Sequence, residues 1–172
     1  MYKFIYLIFF GPALCFSQKQ DTYLRLVDAN GKQIIGESFS RGFEKQIQAF
    51  TSSAGGKNNT QLSFTMSISG ASADLKKALA SGDFLQNGLV TVLQAVNNDP
   101  NPKPAYTVKM EKIKVVYCAE AMGCNGVTTT TVTLQATRIG WTYYQNNLHG
   151  GTLIVSNKYG YDAETGGQWT NF

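Results

Sequence analysis

In Gln61–Ser69, Leu62, Phe64, Met66 and Ile68 fall on every second residue, and that two-residue period most narrows the fold. Successive side chains of a strand point to opposite faces, so the period puts all four on one side. A helix turning every 3.6 residues would scatter them around its axis. The pattern recurs. Tyr23–Val27 alternates over a short run, and Phe43–Ser52 places Phe43, Lys45, Ile47, Ala49 and Thr51 on one side. Gly88–Ala95 is an apolar strand, Tyr106–Tyr117 is a long one with Val108, Met110 and Ile113 alternating, and Val127–Tyr144 is another with a switch near Gly140.

Turn chemistry separates these runs. Asp28-Ala29-Asn30-Gly31 carries the Asn-Gly signal of a tight turn, after which Ile34–Ser38 resumes extended structure. Ala54–Asn59 has the composition of a loop tip. Asn97–Pro104 contains three prolines and is expected to be a loop that cannot enter a sheet interior. The period changes once, at Ser72–Gly82. There Ser72 is expected to cap, Asp74 to sit in the first turn, Leu75 and Leu79 to share a face, and Gly82 to end a short helix. The sum is a mainly β protein: an antiparallel β-barrel or sandwich with one short lateral α-helix. Asn157–Phe172, rich in Gly and Tyr, reads as a final hairpin or a tail.

Met1–Ser17, MYKFIYLIFFGPALCFS, is read as a separate module. A single early lysine, an apolar run from Phe4 to Phe10, a Gly-Pro break and a small residue at Ser17 are the layout of a secretory signal peptide. The run is shorter than the roughly 20 residues that span a bilayer. The expected organisation is signal peptide 1–17, barrel 18–156 and hairpin or tail 157–172. The mature chain is expected to work in the periplasm or outside the cell, with no membrane span.

The net charge of +4 comes from dispersed lysines and arginines with no basic cluster, which speaks against nucleic acid as a partner. The single histidine, His149, stands in a Gly-rich turn without the neighbours a metal site or a catalytic pair requires. No GxSxG elbow surrounds any serine. Asp162–Gly167, DAETGG, resembles a calcium loop in composition but lacks alternating acids. No catalytic, metal or cofactor residue is assigned, no cofactor is expected, and the chain is read as a non-enzyme. Cys118 and Cys124 flank five residues. In an exported protein they read as a small disulfide loop, the alternative being two free or part-buried thiols. Trp141, Tyr143 and Tyr144 are candidate binding aromatics, able to stack on a sugar ring or to serve as strand core.

The order of these segments resembles the Hcp (haemolysin-coregulated protein) family of type VI secretion. Gly36-Glu37-Ser38 is similar to the end of the family's first strand, and Gln61-Leu62-Ser63-Phe64-Thr65 to its Leu-Ser-Phe-Thr strand. The helix and Ser-Gly turn at Asp74–Gly82, the strand Gly88–Ala95, and Met110-Glu111-Lys112-Ile113 follow in the family's order. Val132–Ala136 with Ile139-Gly140-Trp141 resembles its last strand pair. The resemblance implies a compact barrel with a lateral helix, six-fold rings that stack into a hollow tube, and a spike protein and effectors as partners. Family tube subunits lack a signal peptide, so an exported binding module for a glycan or surface partner, reusing the fold, stands as the alternative.

Overall fold

The computed structural model describes residues 21–55, 60–96, 99–123, 126–146 and 153–172. In chain order its elements are β1 (Asp21–Val27), β2 (Ile47–Ala54), β3 (Gln61–Ser67), α1 (Gly70–Ser81), β4 (Phe84–Val96), β5 (Asp99–Met122), β6 (Thr128–Asn146), β7 (Leu153–Asp162) and β8 (Gly167–Gln168). The sheet order is β3-β2-β1-β4-β5-β6-β7-β8, and β3 also pairs with β6. The first six strands therefore close on themselves. All pairings are antiparallel. The expected barrel with one lateral helix is what forms.

The two-residue period earns its place in the core. Leu62, Phe64 and Met66 of β3 are each 1% exposed and meet Leu24, Leu26, Met110, Ile113, Leu134 and Ile139, all at 0%. Ile68 departs from the expected set. The strand ends at Ser67, and Ile68 is 43% exposed in the turn toward α1. That helix packs against β5 with Ala71, Ser72, Leu75 and Ala78 buried.

The helix begins earlier than the sequence implies. Ser69 is its N-cap, and Ser72 occupies the third helical position, where its Oγ accepts the Ser69 N–H at 3.1 Å. This is a capping box with serine in the role usually taken by Glu or Gln. Asp74 consequently lies beyond the first turn. Gly82 ends the helix as expected, in the left-handed region at φ 74°.

Three further expectations are corrected. Phe43 and Lys45 are not in a strand. Residues 41–45 form turns, with Lys45 at φ 60°, and Phe43 stacks on Tyr23 with centroids 4.5 Å apart. Asn97–Pro104 is not all loop, because β5 begins at Asp99 and carries its prolines inside the strand. Pairing with β6 begins only at Tyr106, so among the described residues this stretch of β5 pairs with β4 alone, on an irregular sheet edge where proline is tolerated. The face switch lies before Gly140. The buried positions shift between Met110 and Ile113 on β5, and between Ala136 and Ile139 on β6. Lys112, at φ 48°, takes up the change.

That bend organises the molecule. Up to Gln135, β6 borders β3. From Arg138 onward the same edge borders β7. β5 and β6 thus leave one wall of the barrel and continue into another. Gly36, between β1 and β2, sits where a Cβ would collide with the Gln46 carbonyl, which accounts for glycine at the start of Gly-Glu-Ser. No helix among the described residues is long and apolar enough to cross a membrane.

Candidate functional site

The wall made by β2, β3, the first half of β6 and the last third of β5 has an unusual outer face. Cross-strand partners share a face, so register alone assigns its rows. One row reads Ser53, Ser63, Thr133, Tyr117, and the next reads Thr51, Thr65, Thr131, Ala119. A third continues with Ser67, Thr129 and Ala121. None of these positions carries a formal charge. The hydroxyls bond to one another across the strands: Ser63 to Thr133 at 2.9 Å and Thr65 to Thr131 at 3.4 Å. The result is a flat, neutral, hydroxyl-coated surface.

Among the described residues this wall has two edges that lack a second strand partner, with α1 packed beside the β5 one through Lys76 and Glu120. β4 accompanies β5 only as far as Lys114, so residues 115–122 pair with β6 alone among the described residues. β1 accompanies β2 only as far as Ala49, so among the described residues 51–54 pair with β3 alone. Exposed apolar side chains stand beside each edge: Phe50 at 56% next to one, Val116 at 38% and Tyr117 at 51% next to the other. Unpaired strand edges flanked by apolar groups are templates for another chain, and stable proteins cover them.

The charged groups gather elsewhere, around Arg138. Its Nε donates to Asp162 at 2.9 Å, and Glu111 stands 3.5 Å from its Nη1. Glu164 also bonds Lys112 at 2.8 Å. Burial works to raise the Asp162 pKa, but the Arg138 hydrogen bond and the N–H groups of Glu164 and Thr165 outweigh it and hold the carboxyl below its usual value. The hydrogen bond to Asp162 raises Arg138 in turn. DAETGG is therefore the turn between β7 and β8, with Asp162 Oδ1 accepting the following N–H groups at 2.9 and 3.4 Å. No group of three or more potential ligands capable of holding a metal occurs among the described residues.

The three candidate aromatics do not form one platform. Trp141 is 7% exposed and stacks on Tyr159 at 5.7 Å. Tyr143, 44% exposed, shares that face and meets Tyr106 at 5.6 Å. Tyr144 follows a bulge, and its hydroxyl meets Thr107 Oγ1 at 3.4 Å on the other side. Cys118 has no disulfide partner among the described residues, and the expected partner Cys124 lies outside them. Strand β5 runs on to Met122, so Cys118 pairs with Val132 on the inward side instead of opening a loop. Burial pushes its thiol up, Lys76 working against this and Glu120 with it. His149 and Met1–Ser17 also lie outside the described residues. The hydroxyl wall and its edges were not singled out from sequence, although Thr128–Thr131 is visible as a run; only the register aligns it with Ser63 and Thr65.

A family model described as "Type VI secretion system effector, Hcp" matches residues 25–143. The chain belongs to the Hcp family. Its fold is that of solved Hcp proteins. Hcp1 from Salmonella typhimurium superposes with a TM-score of 0.70 at 21% identity, covering 88% of this chain and 99% of that one. The secreted protein Hcp3 from Pseudomonas aeruginosa gives 0.63 at 18%, covering 83% and 97%. A type VI secretion system effector from Yersinia pestis gives 0.63 at 18%, covering 82% and 98%. No curated protein sequence matches.

Proposed function

We propose that this Hcp protein is a structural subunit that closes into rings, six-fold as in the family resemblance, and stacks them into a hollow tube. The observation that carries this reading is the pair of unlike edges on one four-stranded wall that have no second strand partner among the described residues. Joining β5 residues 115–122 to a neighbour's β2 residues 51–54 continues the sheet from copy to copy. The hydroxyl face then lines the lumen. A neutral surface whose Ser and Thr hydroxyls already bond to each other offers few charged or apolar anchors, which suits a conduit for secreted effectors. A spike protein at the tube's end is the second partner. The role is architectural and not catalytic.

Export is proposed as a departure from family tube subunits, which lack a signal peptide. Removal of Met1–Ser17 near Ser17 delivers the chain to the periplasm or beyond, where oxidation joins Cys118 and Cys124 and staples the β5–β6 turn. An exported glycan-binding module would instead use Trp141, Tyr143 and Tyr144, which the fold divides between two faces.

Cross-linking tests the edge contact. In a background with native cysteines replaced by serine, Ser53→Cys and Val116→Cys are introduced together and oxidised. The reading predicts a ladder of disulfide-linked multimers that closes at the ring size, and none from either single variant. A strictly monomeric product at concentrations where the unmodified protein assembles would refute edge-to-edge joining.

A further inference from the structure

The last residues fold back over the outer face of the β6–β7 pair as a strap. Gly140 and Gly160 are register partners on that face. A Cβ on Gly140 would lie 2.6 Å from the Phe172 ring, and one on Gly160 would collide with the Trp169 carbonyl and with the same ring. The two glycines thus floor a socket that the Phe172 ring fills. Lys158 Nζ donates to the Phe172 carbonyl at 2.6 Å and stands 5.1 Å from the ring centroid. Trp169 is 8% exposed, 4.9 Å from Phe172, with Lys109 Nζ 5.5 Å from its own ring. Its N–H donates to the Gly160 carbonyl at 3.0 Å.

What the strap grips is otherwise weakly held. Every residue of β7 from Leu153 to Tyr159 is exposed. β8 pairs only with Tyr161 and Asp162. Leu153, Ile154 and Val155 form an apolar run, 36–50% exposed, on a strand whose only long partner is β6. Such a strand opens readily when nothing else holds it.

We propose that the strap is a clamp. Its closure on the Gly140–Gly160 socket holds β7 on β6, and so decides whether the apolar run Leu153–Val155 is presented in a fixed place for contact between copies. The clamp stands on the packing alone. Its consequence for contact between copies rests on the assembly reading above.

Hydrogen exchange of the full chain tests the clamp. Phe172→Ala empties the socket, and Lys158→Ala removes the pin while leaving every ring in place. Both are expected to raise exchange across residues 153–160 by about tenfold or more while leaving β1 to β3 unchanged. Gly160→Ala, which displaces the Trp169 backbone, is expected to do the same. Unchanged exchange in residues 153–160 for Phe172→Ala and Lys158→Ala overturns the clamp whatever the protein's oligomeric state. Light scattering on the same samples reads the consequence. Rings that persist but no longer stack in the variants support it. Stacking that survives a freed β7 overturns it. A wild-type protein that forms no ring refutes the assembly reading and leaves the exchange result to decide the clamp.

Discussion

Ser72→Ala cuts the joint between α1 and β6, and its cost can be worked from the contacts. Ser72 is 2% exposed and Thr130 is fully buried, their hydroxyls 2.9 Å apart. The same Ser72 oxygen accepts the Ser69 N–H at the helix start. Removing it strands the Thr130 hydroxyl in the core, worth about 1–3 kcal/mol, because a buried polar group left without a partner keeps its full desolvation cost. Loss of half the capping box adds about 0.5–1 kcal/mol. The total is about 1.5–4 kcal/mol, or a fall in Tm of about 3–16 °C for a domain of this size. Urea denaturation at a fixed, low protein concentration reads it. Thr130→Val in the same chain removes the stranded partner, so the double variant should recover about 1 kcal/mol relative to additivity. A single-variant cost under about 0.5 kcal/mol, or strict additivity, would refute the claim that this bond ties α1 to β6.

Other outcomes follow from the charged turn and the neutral wall. Asp162 is held below its usual pKa, so its stabilisation is present above about pH 4 and is lost as pH falls through the folded value. Asp162→Asn, which keeps the turn's hydrogen-bond acceptor, should flatten the acid limb of a stability–pH curve; an unchanged limb would exclude the Arg138 pair as its source. Thr131→Glu puts one carboxylate per subunit on the hydroxyl face, away from both edges. Electron microscopy should find rings of unchanged size, while binding of a cationic effector rises with a steep salt dependence. Loss of the rings themselves would place Thr131 in a subunit seam instead of the lumen.

The strands were legible because burial on one face imposes alternation, and Leu62, Phe64 and Met66 kept it. Ile68 broke it because the chain had already turned toward the helix. The helix start was misplaced at Ser72, since a serine three residues into a helix and a serine at its cap look alike until Ser69 is seen to precede it. The prolines of Asn97–Pro104 argued for a loop, but the stretch from Asp99 lies beyond the reach of β6, on an irregular sheet edge where proline is tolerated. The wall and the strap were not legible at all. Each depends on which residues lie opposite one another across strands, Ser63 against Thr133 and Gly140 against Gly160, and a single strand's pattern carries no such information.

Electron microscopy of the purified protein, with mass measured by light scattering, tests the central claim most directly. The account predicts closed rings with a hollow centre, their β2 and β5 edges in contact and the Ser/Thr face turned inward. A monomer at all concentrations, or rings whose lumen is lined by another wall of the barrel, would contradict it.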